Sequence, residues 1–153
     1  MRFLELKVPP VAQFLAVAAG MWLVARYAPA LSAETPLRKL LIVLFIGLGG
    51  IVAVAAIAAF RSAGTTVDPR SPAKASRLVV RGIYRYSRNP MYLGLVFLLI
   101  AWALYLSNAL GFAGLPLFIV AMNRLQIRPE ERAMELQFGD DFRAYRQSVR
   151  RWI

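Results

Sequence analysis

The chain has 153 residues, of which 59% are hydrophobic, and a formal net charge of +11. Its length accommodates one domain, 1–153, and its long uncharged apolar blocks indicate an all-α integral membrane protein. The absence of cysteine and histidine excludes disulfides, thiolate nucleophiles, imidazole bases and the usual zinc sites, so we predict no metal site.

The first apolar block predicts a membrane span at about 11–28. Only Gln13 and the terminal Arg26 interrupt it. A cleaved signal peptide is the alternative, since basic residues precede the block and Ala28-Pro29-Ala30 resembles a cleavage site. The span is the better interpretation, because 18 residues suit a crossing and the rest of the chain is itself rich in apolar blocks.

The second block predicts a span at about 40–60. It carries no charge over 21 residues, which is enough to cross a bilayer core of about 30 Å. Small residues along it allow neighbouring helices to approach closely, and packing is their expected role; they are Gly47, Gly49, Gly50, Ala53, Ala56 and Ala59.

The third block is too long for one span. From Met91 to Met122 it has 32 uncharged residues, roughly 48 Å as a single helix. Ser107-Asn108 and the glycines and proline that follow interrupt the run. We therefore predict a hairpin of two short transmembrane helices, at about 91–106 and 109–124, which brings the number of spans to four.

Lysine and arginine concentrate outside these blocks. Seven lie in the 61–89 loop and seven more between Arg124 and Arg151. Because basic residues collect on cytoplasmic loops, we predict that this loop, the 125–153 tail and both termini lie in the cytoplasm of a cell (inner) membrane. Contacts with anionic lipid headgroups account for most of these charges, and no nucleic-acid partner is predicted.

The 125–153 tail contains the signals of two helices. Pro129 suits a helix start, and Gly139 is placed to end that helix before a second one begins at Asp140. Apolar residues then recur at helical spacing, while the arginines lie largely elsewhere. An amphipathic helix on the membrane surface is the natural interpretation; its apolar residues are Phe142, Tyr145, Val149 and Trp152.

Asn89-Pro90 marks the start of the third predicted span. Asn is a strong helix N-cap, and Pro suits the first helical position. Backbone N–H groups at a helix start attract anionic ligand groups. This start lies between a basic, tyrosine-rich loop and an apolar run, so it could hold a polar cofactor while an apolar substrate arrives from the lipid.

The chain resembles the integral-membrane methyltransferases grouped with isoprenylcysteine carboxyl methyltransferase and phosphatidylethanolamine N-methyltransferase. The residues before the third span match only as generic membrane helices, apart from the loop that leads into it. From Leu78 onwards the family's motifs occur in order and with compatible spacing: Leu78-Val79, Gly82-Ile83-Tyr84, Arg88-Asn89-Pro90-Met91-Tyr92-Leu93-Gly94, Glu130-Glu131, Phe138-Gly139 and Tyr145.

This resemblance implies an S-adenosylmethionine-dependent methyltransferase. It assigns cofactor binding to Ser76, Arg77, Leu78, Val79, Tyr84, Asn89, Pro90, Met91, Tyr92 and Glu130. Two spans separate Pro90 from Glu130, so both motif segments should lie on the same side of the membrane. We predict catalytic roles for Asn89, Tyr92, Arg124 and Glu131. An acceptor that must lose a proton would find its base in Glu130, Glu131 or a tyrosine.

The resemblance also implies a lipophilic acceptor at the cytoplasmic membrane face, resembling a prenylcysteine carboxylate. Gln126 and Arg128 are the predicted substrate-binding residues. Two departures bear on this: Asn89 replaces the family's usual His, and Gln126 stands where prenylcysteine enzymes have Arg. The alternative is N- or S-methylation of a phospholipid headgroup or a small lipophilic amine or thiol. A third interpretation is a non-enzymatic membrane protein of the same fold.

Overall fold

The computed structural model describes residues 5–29, 36–64 and 77–153. The helices in these ranges are α1 (Pro10–Tyr27), α2 (Arg38–Ser62), α3 (Pro90–Leu106), α4 (Gly114–Met122) and α5 (Arg128–Ser148). Short 3-10 turns cover Gly82–Arg85 and Ala109–Ala113, and a π-helical turn, Asn123–Ile127, joins α4 to α5. The predicted all-helical class is confirmed.

Several helices suit a bilayer. In the described part of the chain, Pro10–Tyr27, Arg38–Ser62 and the continuous run Ala109–Ser148 are long and apolar enough to cross a membrane. The fourth apolar helix, α3, is shorter, with 17 residues. Helices thus lie in all four predicted blocks, while the number of crossings stays a prediction. Large apolar side chains are exposed along α1 and α2, as expected of faces in contact with lipid; they include Leu15, Trp22, Val43, Ile51 and Val54.

Part of the small-residue stripe on α2 packs as predicted. A side-chain carbon added at Gly49 would lie 3.0 Å from the carbonyl oxygen of Gly94, and one added at Gly94 would lie 3.0 Å from that of Gly49. The two backbones therefore approach closely at this crossing, which explains the glycine that ends the Arg88–Gly94 motif. Gly47 and Gly50 have no described neighbour in reach of such a carbon.

The break in the third apolar block is built around Ser107 and Asn108. Ser107 has a left-handed backbone (φ 51°) and ends α3. The buried Asn108 amide donates from Nδ2 to the carbonyl oxygen of Ala28 at 2.8 Å, and its Oδ1 accepts from the Gly111 N–H at 3.3 Å. A buried polar side chain is thereby satisfied, and the predicted hairpin is fastened to the end of α1.

Two apolar clusters hold the helices together, and Met91 packs against both. The first lies among α1, α3, α4 and the π-helical turn, with Met21, Tyr92, Val96, Leu99, Ala103, Phe118, Met122 and Ile127 at its centre. The second joins the end of α2 to the segment before α3 and to α5, through Ala56, Val79, Tyr84, Phe142 and Tyr145. The 77–92 segment is therefore fixed between the two clusters.

The tail differs from the predicted surface helix. The backbone breaks at Gly139 (φ 50°, ψ −120°), as its sequence position predicted. The apolar face beyond this break packs against the protein itself, since Phe142 and Tyr145 are buried in the second cluster. The helix ends at Ser148, and Val149 is extended. Residues 149–153 leave the helical face, so the prediction that this helix continues through Val149 and Trp152 is wrong, while its location at the membrane surface stays a prediction.

Candidate active site

The start of α3 and the start of α5 meet at one end of the helices. The Tyr92 hydroxyl donates a hydrogen bond to Oε1 of Glu130 at 2.5 Å. This contact brings together the two motif segments that the sequence analysis predicted to lie on the same side.

Glu130 is surrounded by neutral donors. Besides Tyr92, the Gln126 side chain, one turn earlier, donates from Nε2 to the same Oε1 at 2.5 Å. Burial raises the pKa of Glu130 to about 7, and the hydrogen bonds from Tyr92 and Gln126 offset only part of that effect. The negative charge of Glu131 raises it slightly further. Near neutral pH this carboxyl group is therefore able to accept or release a proton.

Glu131 faces a different environment although it is the next residue. Its Oε1 accepts from Arg88 Nη2 at 2.8 Å and from Arg151 Nε at 3.0 Å, and its Oε2 accepts from Arg151 Nη2 at 2.6 Å. Burial alone would raise the pKa of Glu131, but the hydrogen bonds and charges of Arg151 and Arg88 outweigh it and lower the pKa. This geometry favours a structural role, and the catalytic role stays a prediction.

The start of α3 leaves two backbone N–H groups without a hydrogen bond to a described residue. Pro90 is the first helical residue, as predicted, but the Asn89 side chain does not cap the helix. Its Nδ2 donates instead to the carbonyl oxygen of Arg151 at 2.9 Å. Within the described ranges, no hydrogen bond is made by the backbone N–H groups of Met91 and Tyr92. Two donors at a helix start are thus available to an anionic group.

The segment before α3 forms another part of the site. Tyr84 lies in the Gly82–Arg85 turn, where its ring packs edge-on against Phe60 and its carbonyl oxygen accepts from the Tyr145 hydroxyl at 2.7 Å. Burial raises the pKa of Tyr84, and the charges of Tyr145 and Glu130 raise it further, so the phenol stays neutral.

The remaining predicted residues divide into those at this site and those outside it. Val79 is buried and Leu78 is half-buried against the second cluster, while Arg77 is exposed. Gln126 is fully buried beside Glu130. Arg124 and Arg128 are exposed and form no ion pair with a described residue. Ser76, a predicted cofactor contact, lies outside the described residues.

Sequence reasoning missed the contribution of the last residues. The backbone N–H of Arg88 donates to the carbonyl oxygen of Arg150 at 3.0 Å, and the Ser87 hydroxyl donates to that of Arg151 at 3.5 Å. The Trp152 indole N–H donates to Oδ1 of Asn123 at 3.2 Å. The only sequence signal for these contacts is the dense run of arginines near the end of the chain, and such a run is equally typical of contacts with lipid headgroups.

Comparison with known proteins agrees with the motifs. A family model described as phospholipid methyltransferase matches residues 37–141. An uncharacterized protein of Haemophilus influenzae (strain Rd) is 48% identical over 63 residues, which cover 41% of this chain and 100% of that protein. No solved structure matches the chain significantly. The family match covers more than two-thirds of the sequence and includes both halves of the site.

Proposed function

Since this chain belongs to the phospholipid methyltransferase family, we propose that it transfers a methyl group from S-adenosylmethionine to a lipophilic acceptor at the membrane surface. The observation that carries the proposal is the half-buried Glu130 carboxyl group. It accepts a hydrogen bond from Tyr92, and the backbone N–H groups of Met91 and Tyr92, at the same start of α3, make no hydrogen bond with a described residue.

The residues present fit this cofactor. The N–H groups of Met91 and Tyr92 suit its carboxylate, and Glu130 in its ionised form suits the ammonium or the ribose hydroxyls through charge-assisted hydrogen bonds. The rings of Tyr84 and Tyr92 suit adenine or the sulfonium, because cations favour aromatic faces. Leu78 and Val79 supply apolar contacts. The cofactor, when bound, supplies an electrophilic methyl group.

The protein's part in the reaction is to bind, to orient and to exclude water. Methyl transfer is an in-line displacement, so positioning and electrostatics supply most of the rate increase. Tyr92 and Gln126 fix the orientation of Glu130 by donating to the same oxygen. An amine or thiol acceptor must also lose a proton, and Glu130 is a half-buried group with a pKa suited to receive it.

Gln126 bears on which acceptor is used. A prenylcysteine carboxylate needs no base, but it needs a cation or several donors to bind it in an apolar site. Gln126 is a fully buried neutral amide turned toward Glu130, whereas Arg124 and Arg128 are exposed. This arrangement favours the second candidate, N- or S-methylation of a phospholipid headgroup or a small lipophilic amine or thiol.

We further propose four spans with both termini cytoplasmic in the cell (inner) membrane. An even number of crossings must separate Tyr92 from Glu130, because their side chains are in contact. The two basic segments flank the same site, which agrees with the preference of arginine for the cytoplasmic side. Reporter fusions that place the 61–89 loop and residue 140 on opposite faces would contradict this topology.

Two measurements test the activity. S-Adenosylhomocysteine retained after purification separates an enzyme from a non-enzymatic membrane protein of the same fold. Methyl transfer from isotope-labelled S-adenosylmethionine is then compared between extracted phospholipids and farnesylcysteine analogues. We expect label in the lipid extract; label confined to farnesylcysteine would restore the carboxylate acceptor, and a protein that binds and transfers nothing would refute the proposal.

A further inference from the structure

The π-helical turn before α5 aims a side chain into the site. The Arg128 N–H donates to the carbonyl oxygen of Asn123, which closes a wider turn than an α-helix allows. Gln126 lies within this turn and is fully buried, with its Nε2 on Glu130. Turns of this kind are uncommon and occur frequently at functional sites. The direction of Gln126 therefore depends on this uncommon backbone geometry.

Both ends of the chain fasten this turn. From the C-terminal side, the Trp152 indole N–H donates to Oδ1 of Asn123, and the Trp152 ring packs against the first cluster. From the N-terminal side, the Leu6 N–H donates to the carbonyl oxygen of Leu125 at 3.0 Å. Leu6 does so with φ 58°, a backbone region that costs free energy for leucine. The turn is thus held by contacts distant in sequence.

We propose that Trp152 and Asn123 are positioning residues, whose hydrogen bond fixes the π-helical turn and so holds the Gln126 amide against Glu130. This proposal rests on the proposed function in one respect: the cofactor-affinity measurement assumes that the protein binds S-adenosylmethionine. Neither Asn123 nor Trp152 is among the residues proposed to touch the cofactor. They act on Glu130 only through the π-helical turn.

Loss of this hydrogen bond has a definite consequence for Glu130. Without a fixed Gln126, the ionised carboxylate keeps only Tyr92 as a hydrogen-bond donor, while its burial is unchanged. The ionised form is then less stable, so Glu130 should titrate at higher pH. The other titratable groups that act on Glu130 are Tyr92 and Glu131, and we expect a change at Trp152 to leave both in place.

Trp152→Phe and Trp102→Phe form a matched pair of variants. Each removes one indole N–H that donates to a protein oxygen, to Asn123 in the first case and to the carbonyl oxygen of Ala18 at 3.0 Å in the second. Both should lower thermal stability by a similar amount. Only Trp152→Phe should raise the titration midpoint of Glu130, measured by isotope-edited infrared spectroscopy against a Glu130→Gln reference across about two pH units on either side of neutrality.

The same variants are tested for S-adenosylhomocysteine affinity by calorimetry. We expect Trp152→Phe to weaken binding about fivefold, the scale of one net hydrogen bond, and Trp102→Phe to leave it unchanged. An unchanged Glu130 midpoint in Trp152→Phe would overturn the proposal. If the wild type binds no S-adenosylhomocysteine, the proposed function fails, and the infrared midpoint still decides the positioning role.

Asn123 supplies a second pair if Trp152→Phe does not fold. Asn123→Asp keeps an oxygen that accepts from the indole, whereas Asn123→Ala removes it. Asn123→Ala should by itself raise the Glu130 midpoint. Where Trp152→Phe does fold, the effects of the two changes should not add, because both remove the same bond. Equal midpoints for Asn123→Ala and the wild type, or fully additive effects, would contradict the inference.

Discussion

Glu130 and Glu131 are neighbours in one helical turn, yet the fold gives them opposite surroundings. Glu130 is half-buried with two neutral donors on one oxygen, and its pKa rises to about 7. Glu131 accepts from two arginines, and its pKa falls. Paired carboxyl groups whose environments drive their pKa values apart are a common basis for dividing chemical roles. The comparison favours the proposed proton and ligand chemistry for Glu130 and a structural role for Glu131.

The Glu131 ion pairs explain why the tail belongs to the site. Arg88 comes just before α3, and Arg151 lies at the end of the chain, so Glu131 joins both to the start of α5. Arg88 also donates from Nη1 to the carbonyl oxygens of Arg146 and Val149, at 2.7 and 2.9 Å. The extended tail is thereby held beside Asn89. Arginine suits this role because its planar fork donates in several directions at once.

Glu131→Gln should cause the largest loss of stability. The change leaves two arginines without a charged partner, and Arg88 and Glu131 are 9% and 13% exposed at their side chains. Breaking a buried ion pair in this way costs roughly 3–5 kcal/mol, and partial exposure places our expectation at about 3 kcal/mol. Thermal unfolding in detergent measures it. A variant as stable as the wild type, but without activity, would give Glu131 the chemical role instead.

Glu130→Gln should show the reverse pattern. The variant keeps the shape of the side chain, and the lost helix-dipole contribution is only about 0.3–1 kcal/mol. Loss of a charge-assisted hydrogen bond to the cofactor costs roughly 1.5–3 kcal/mol, or about ten- to a hundredfold in Kd. Calorimetry with S-adenosylmethionine, beside Glu131→Gln as the control, checks this. Unchanged affinity would reduce Glu130 to a helix-start residue.

Local signals predicted much of this arrangement. The helix start at Asn89-Pro90, the hairpin at Ser107-Asn108 and the break at Gly139 each depend on residues within a few positions. Counting the predicted spans between Tyr92 and Glu130 placed them on the same side of the membrane, and the structure brings their side chains into contact. These features were accessible because they rest on backbone preferences and on the number of apolar blocks.

The division between Glu130 and Glu131 was not accessible in the same way. It depends on the route of residues 149–152, which is decided by hydrogen bonds to Arg88 and Asn89, about sixty positions earlier. The sequence predicts that the Asn89 side chain caps α3, but in the fold it donates a hydrogen bond to the carbonyl oxygen of Arg151. The π-helical turn likewise has no local sequence signal. Long-range contacts overrode local propensity at each of these places.

The pH dependence of cofactor binding should separate the two carboxyl groups. Because its pKa is about 7, Glu130 is protonated below neutrality, and S-adenosylhomocysteine affinity should fall by up to about tenfold per pH unit there. Glu131, with its lowered pKa, stays ionised over the same range. Glu130→Gln should remove this dependence, and folded Glu131→Gln should retain it. A flat profile in the wild type would contradict the assignment.

The effect on stability has the opposite sign. The pKa of Glu130 is raised on folding, so the protonated form favours the fold, and its contribution to stability is lost as pH rises toward 7. Glu131 contributes stability above the ordinary glutamate pKa, and this is lost as pH falls. Ligand binding and stability should therefore respond oppositely to Glu130 protonation, which the same titration series measures in the ligand-free protein.

Tyr92→Phe should produce the smallest of these effects and show whether the donors on Glu130 act separately. The change removes one hydroxyl donor but keeps the ring that packs in the first cluster. One net hydrogen bond is worth about 1 kcal/mol, so cofactor affinity should fall about fivefold. The pKa of Glu130 should rise, because the lost Tyr92 hydrogen bond lowers it in the wild type, while Gln126 remains as a neutral donor on Oε1. Calorimetry at two pH values measures both changes.

Tyr145→Phe is the control, since its hydroxyl donates to the Tyr84 carbonyl oxygen and not to Glu130. If both variants shift the pH midpoint equally, the phenol of Tyr92 acts through general packing, and the neutral donors do not set the character of Glu130.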